Sequence, residues 1–324
     1  MTIALGEFEL IERFFRRPVP ARTPPLLGIG DDAALIACPS DQVLAVTVDT
    51  LVAGVHFLAD TDPFRLGYKA LAVNLSDLAA MGAEPAWVTL ALTLPTINEA
   101  WLEGFSRGFF SLAERYGISL IGGDTTRGPL SITLQAMGRV PESSALKRSG
   151  AAPGDLVYQS GVLGSAGLGL KMLLGTATPL DRETVRHQEQ PEPRVELGVL
   201  LREQASACID ITDGLAADLG HILTASGVGA ELVYEQLPLT EPVQHYVQCS
   251  GDWAFPLHCG DDYELCFTLP PHQQAELERR LAEYSIACSC LGRIVAADTP
   301  GLTITRNGQA MVLPRKGYDH FAHS

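Results

Sequence analysis

PFRLGYKALAVNLSDLAAMGAEPAWVTLALTL, residues 63–94, sets one amphipathic helix directly before one strand, and that pairing decides the fold class. Asp62 followed by Pro63 is a good N-cap and first-turn pair, while Gly82 and Pro85 stop the helix, so the spacing predicts a helix from Pro63 to Met81. At about 100° per residue, Leu66, Ala70, Val73, Asn74, Asp77 and Met81 share one stripe. Tyr68, Leu71, Leu75 and Leu78 form another nearly opposite, and Arg65, Lys69 and Ser76 take the narrow edge left for solvent. Asp77 lies off that edge. It is expected to line a partly buried cleft beside Asn74, where an unpaired carboxylate is costly. The apolar run at 86–94 then predicts a strand.

The same alternation continues in both directions. QVLAVTVDTLV (42–52), ISLIGG (118–123) and LSITLQAMGRV (130–140) predict strands, with a helix near 98–115. PESSALKRSGAAPGD (141–155) gathers Pro, Ser and Gly and marks a boundary before the strand in DLVYQSG. Beyond it, ACIDI (207–211) and YELCFTL (263–269) predict strands around a helix at about 214–225. A length of 324 residues fits two domains, expected at 1–145 and 146–324, each of them α/β or α+β.

Composition narrows the function. With 46% hydrophobic and 19% charged residues the chain reads as a globular enzyme more than a disordered one. A formal net charge of −15 would repel a phosphate backbone and argues against nucleic-acid binding. Apolar stretches are broken by charge, Gly or Pro before the length of a membrane span, and Glu7, Glu9 and Glu12 are out of place in a signal peptide. The seven cysteines have no zinc-finger spacing. A cytoplasmic protein with reduced thiols and no membrane partner is expected.

The acids need an explanation. Asp31 and Asp32 sit in the glycine turn GIGDDAAL; Asp49 and Asp124 close the β-branched runs TVDT and IGGDTT; Asp210 and Asp213 flank Thr212 in CIDITDG. Singly, Asp31 and Asp32 read equally well as turn formers, and Asp213 better as a helix N-cap. Asp is depleted in strands, however, and carboxyl ends of strands are where α/β sheets bind ligands. Two bare carboxylates ~4 Å apart repel by about 4 kcal/mol at an effective dielectric of 20, so convergence implies protonation or cations. An all-oxygen set without His or Cys favours Mg²⁺ and Mg²⁺-assisted phosphoryl transfer. No Walker, kinase or dinucleotide fingerprint is present. GVLGSAGLGLKML (161–173) suits either a phosphate cradle or a tight strand-to-helix turn, and Arg148 either a phosphate contact or a solvated linker charge. His56 reads as a packed residue first. Glu264, in GDDYEL, faces inward toward a cationic ligand or outward to solvent.

Taken in order, GIGDDAAL, TVDTLVAGVHF, YKALAVNLSDLAAMGAEP, IGGDTTRGPLSITL, RSGAAPGD, CIDITDGLAADLGHI and DDYELCFT resemble the thiamine-monophosphate kinase family. That family shares a superfamily with aminoimidazole ribonucleotide synthetase and selenophosphate synthetase. The likeness runs from Gly6 to Phe321. It implies ATP-dependent, direct phosphorylation of thiamine monophosphate to thiamine diphosphate. It also implies a two-domain aminoimidazole ribonucleotide synthetase-like fold whose N-terminal sheet pairs across a homodimer, with the active site between the domains. By motif position, Asp32, Thr47, Val48 through its backbone, Asp49, Asp77, Asp124, Asp210 and Asp213 resemble the ligands of several Mg²⁺ ions, and catalysis is expected to depend most on Asp77, Asp124 and Asp210. Gly123, Asp124, Arg148 and Thr212 resemble ATP contacts; His56, Glu264 and Tyr318 resemble thiamine-phosphate contacts. Ala53 stands where many members carry an acid, Thr212 replaces a common serine, and Asp261 a common glutamate. The N-terminal Cys and Lys segment of a selenophosphate synthetase is absent. A related ribonucleotide synthetase, or a non-catalytic metal- and nucleotide-binding module, is the alternative.

Overall fold

The computed structural model describes residues 6–17 and 19–313. Two compact units emerge, one from Met1–Leu78 with Ala83–Ser143, the other from Ala79–Gly82 with Ser144–Ser324.

The first unit contains α1 (Glu7–Leu10), β1 (Gln42–Val52), α2 (Pro63–Ala80), β2 (Glu84–Leu94), α3 (Glu99–Tyr116), β3 (Ser119–Arg127) and β4 (Ser131–Pro141). Its sheet runs β1-β4-β2-β3, with β4 antiparallel to both neighbours and β2 parallel to β3. β1 is therefore parallel to β2. Two successive crossovers, through α2 and then α3, move in the same direction across the sheet, and right-handed connections put both helices on one face. Burial agrees: Leu90, Leu92, Ile132 and Leu134 are sealed on the helix side, whereas Val46 and Val48 of β1 lie on the other side, 54% and 59% exposed. At one end of that open face Ala34 and Ile36 pack on Trp87, Ile121 and Met137.

The sequence placed Arg65, Lys69 and Ser76 on the solvent edge of α2. Only Arg65 is exposed; Lys69 and Ser76 are buried. The helix is covered on two sides, by the sheet and by α3, which approaches so closely that a Cβ on Gly67 would lie 2.0 Å from the Phe105 carbonyl oxygen and one on Gly108 1.8 Å from that of Phe64. At its start, Asp62 accepts the Arg65 N–H at 3.1 Å, the expected cap.

The second unit adds β5 (Leu156–Ser160), α4 (Ser165–Leu173), α5 (Arg182–Glu189), α6 (Val195–Leu201), β6 (Ala207–Asp210), α7 (Leu215–Ser226), β7 (Gly229–Val233), α8 (Glu241–Ser250), α9 (Phe255–His258), β8 (Leu265–Leu269), α10 (Gln274–Tyr284), β9 (Cys288–Val295), β10 (Gly301–Arg306) and β11 (Gln309–Met311). Its mixed sheet has the order β11-β10-β7-β9-β5-β8-β6. α7 packs its Leu215, Leu219 and Ile222 into a core with Ile209, Ile211, Leu291 and Ile294. No helix among the described residues is long and apolar enough to cross a membrane.

Candidate functional site

In the first unit, Thr47 and Asp49 alternate onto the same face of β1, in the rows of Ala136 and Leu134, which is the helix-covered side. Thr47 Oγ1 donates to Asp77 Oδ2 at 2.5 Å, so the strand and α2 meet through these side chains. Burial, then repulsion from Asp77, pushes the Asp49 carboxyl up to about 6. Asn74 lies one turn before Asp77, fully buried, its amide donating to the Ala70 carbonyl at 3.3 Å. Two carboxylates and a hydroxyl thus share one half-buried position.

Asp124 is elsewhere. The sequence ended its strand at Gly123, but β3 continues to Arg127 and Asp124 pairs with Ala91 in mid-strand. The rows Asp124–Ala91–Thr133–Thr50 and Gly123–Leu90–Leu134–Asp49 follow from the registers. Asp124 therefore faces the open side with Val46 and Val48, opposite to Asp49. Gly123 is fixed for a steric reason, since its φ is +152° and a Cβ would fall 1.8 Å from the Leu90 carbonyl oxygen. Asp31 and Asp32 are exposed, and Asp31 Oδ1 accepts the Asp32 N–H at 2.9 Å as a turn former does. His56 Nδ1 accepts the Val52 N–H at 3.0 Å, which leaves the ring proton on Nε2. Among the described residues no three His, Cys, Asp or Glu side chains converge on one point.

In the second unit the ladder between β6 and β8 runs on into the loops. Ile211 N–H donates to the Glu264 carbonyl, Tyr263 N–H to that of Ile211, and Asp261 N–H to that of Thr212, at 2.7, 2.8 and 2.9 Å. Asp210, at the end of β6, is buried. Asp213 is not the side-chain cap of α7: Gly214 holds the N-cap position, with φ 107° and no side-chain bond. Asp218 supplies the acceptor instead, taking the N–H groups of Thr212 and Asp213 at 2.9 and 3.0 Å, and burial raises its carboxyl to about 7. This residue shapes the Asp210–Asp213 turn and was missed; an Asp inside the apolar run GLAADL was the available signal. Arg148 has an exposed side chain on a loop tied by Ser226, whose hydroxyl accepts from Gly150 and Ala151 N–H at 3.2 Å each.

The glycine-rich segment resolves as a strand-to-helix turn. Its N–H groups from Gly164 and Ala166 already donate to Asp262, at 2.8 and 3.3 Å. Asp262 is flanked by two non-glycine residues with positive φ, Asp261 at 69° and Tyr263 at 50°. Burial lifts its carboxyl from 3.8 to about 8 despite those two donors. The folded protein holds this proton up to about pH 8, whereas the unfolded chain releases it near 4, so its stabilising contribution is complete at low pH and is lost as pH rises through 8. Asp262→Asn removes the charge and keeps an acceptor for only one of the two N–H donors, which bond to different oxygens. It should start from a lower melting temperature that falls less than the wild type's between pH 6 and 9 in thermal scans. Parallel curves would overturn this assignment.

Glu264, buried just before β8, does not face solvent and does not stand alone. Arg194 Nε and Nη2 donate to its Oε2 and Oε1 at 2.6 and 2.5 Å. Tyr318 lies outside the described residues.

Two mixed sheets with acids on strands and strand-end loops define a class. Models of the AIR synthase related proteins match here, the N-terminal domain at residues 30–140 and the C-terminal domain at 152–305. The thiamine-monophosphate kinase of Escherichia coli strain K12 is 48% identical over 99% of both chains. The crystal structure of that kinase from Stenotrophomonas maltophilia K279a has a TM-score of 0.83 at 42% identity, covering 95% of this chain and 99% of its own. AaThiL complexed with AMPPCP and TMP has a TM-score of 0.76 at 28% identity, covering 99% of both. The chain belongs to the thiamine-monophosphate kinase family.

Proposed function

We propose that this chain is an enzyme that transfers the γ-phosphoryl group of ATP to thiamine monophosphate, giving thiamine diphosphate and ADP. Full-length identity of 48% to an Escherichia coli kinase of that name carries the proposal. The bond formed joins an oxygen of the acceptor phosphate to the γ-phosphorus, and the bond broken joins that phosphorus to the β–γ bridging oxygen. The acceptor oxygen is already anionic, so the chain needs no strong base; positioning and charge neutralisation are what remain for it to provide.

Magnesium fits the residues present. Thr47, Asp49 and Asp77 offer oxygen only, and the Asp49 carboxyl is raised by desolvation first and by the Asp77 charge second, at a half-buried position. We assign these three and the Val48 backbone as holding Mg²⁺, with Asp32, Asp124, Asp210 and Asp213 as further ligands by family position. When bound, the ions would neutralise phosphate charge. Gly123, Asp124, Arg148 and Thr212 are assigned to ATP. His56 and Tyr318 are assigned to the substrate by family position, and Glu264 takes part as half of an ion pair. Residues 1–145 and 146–324 are proposed as the two domains. The apolar, exposed Val46 and Val48 support a homodimer that pairs the open faces of two first-unit sheets. Seven free cysteines accord with a cytoplasmic location.

The test is an assay of purified protein with ATP, Mg²⁺ and thiamine monophosphate, with unphosphorylated thiamine in parallel. Equal amounts of thiamine diphosphate and ADP should form from the monophosphate alone. No diphosphate, with ATP binding retained, would turn the search to a ribonucleotide substrate or a binding role.

A further inference from the structure

Glu264 was expected to balance the cationic rings of the substrate, and its surroundings leave it little capacity to do so. Its carboxylate is buried and accepts three donors: Arg194 Nε on Oε2 at 2.6 Å, Arg194 Nη2 on Oε1 at 2.5 Å, and Ser160 Oγ on Oε2 at 2.5 Å. Ser160 is itself held, because its hydroxyl accepts the Leu265 N–H at 2.9 Å. Gly161 closes the other side, where a Cβ would lie 1.9 Å from Oε1. A carboxylate so enclosed, with its charge matched by a guanidinium, is a poor counter-ion for a second cation.

Arg194 is the half of the pair that reaches outward. Its side chain keeps 27% of its surface, and Glu264 engages only the Nε and Nη2 edge. The two N–H bonds of Nη1 have no protein acceptor among the described residues. The two-pronged pair fixes the guanidinium plane, and Pro191 and Pro193 restrict the backbone leading to it. A fixed arginine edge with spare donors matches the oxygens of a phosphate monoester.

Resting on the kinase proposal above, the geometry points to Arg194 as the residue that contacts the phosphate of thiamine monophosphate and so separates it from unphosphorylated thiamine. Glu264 is then a positioning residue that acts through Arg194.

The test uses the full-length protein with ATP and Mg²⁺, reading KM for thiamine monophosphate, KM for ATP, and the inhibition constant of thiamine as a competitor. In Arg194→Gln, KM for the monophosphate should rise by roughly 10- to 100-fold, the scale of a lost charged hydrogen bond. Inhibition by thiamine and KM for ATP should stay within about twofold on that scale. Glu264→Gln should move the monophosphate KM in the same direction by less. Because Arg194→Gln leaves a buried carboxylate unpaired, the paired R194Q/E264Q variant is measured alongside it and should give the same pattern. Equal weakening of monophosphate and thiamine would mean that Arg194 only braces Glu264 against the cationic rings, and would overturn the inference, as would unchanged constants. A wild-type protein that makes no thiamine diphosphate removes the kinase proposal itself, whereas an active wild type with an indifferent Arg194 removes this one alone.

Discussion

Asp77→Asn is expected to lower turnover by at least ~10³-fold, about 4 kcal/mol of lost transition-state stabilisation, while leaving the protein folded and no less stable. Asparagine keeps the shape and an oxygen to accept from Thr47 Oγ1, so the bond that joins β1 to α2 survives. What goes is one of two charges. In the protein without divalent cations, Asp49 titrates near 6, burial first and repulsion from Asp77 second. A carboxyl raised in this way stabilises the fold at low pH and gives up that contribution as pH rises through 6. Removing Asp77 lowers the Asp49 value, so the variant should lose less stability than the wild type as pH rises from about 4 through 6. Added Mg²⁺ should raise the wild-type melting temperature and that of the variant much less, because only a ligand bound to the folded state shifts it. Higher metal-free stability, a blunted response to Mg²⁺ and lost turnover form one signature, that of a site whose charge serves function at the expense of folding. An Asp77→Asn protein with normal turnover would refute the metal assignment of this helix.

Much of the fold was legible because its signals were local. β1 spans Gln42–Val52 as read, and α2 starts at Pro63 behind its Asp62 cap. β3 was cut short at Gly123 because the apolar run ends there; its polar remainder, Asp124 to Arg127, needs no apolar side chains on an open face, since the ladder to β2 is made by backbone groups. The solvent edge of α2 is narrower than its periodicity implies for a different reason. What buries Lys69 and Ser76 is the closeness of α3 and the sheet, and periodicity within α2 carries no information about either. Chain distance hid the rest: Asp262 meets Gly164 across 98 positions and Glu264 meets Arg194 across 70. An acid on a strand can be noticed in sequence, but the face it takes depends on register, and so does the separation of Asp124 from Asp49.

Gly108→Ala is the second large effect, expected to destabilise the protein by about 3 kcal/mol. The missing side chain at this position is what lets α3 touch α2. An added methyl would stand 1.8 Å from the Phe64 carbonyl oxygen and 2.6 Å from its carbon, backbone atoms inside a helix that no rotamer change can move aside. Gly67 makes the reciprocal approach, with a Cβ position 2.0 Å from the Phe105 carbonyl oxygen. The helices would have to separate along their shared seam, and core packing around Leu71, Phe105 and Phe109 would open with them. Gly220 is the control. It lies within α7 with nothing within 4 Å of its Cβ position, so Gly220→Ala should gain up to about 1 kcal/mol from helix propensity alone. Urea unfolding of the two variants should therefore shift in opposite directions; similar shifts would show that the α2–α3 contact tolerates spreading. Activity adds an independent reading. Because α2 carries Asp77, moving it outward stretches the Thr47–Asp77 bond, and a displacement of ~1 Å is enough to cost about 10²-fold in rate. Gly108→Ala should thus lose turnover at temperatures where it is still folded, and Gly220→Ala should not.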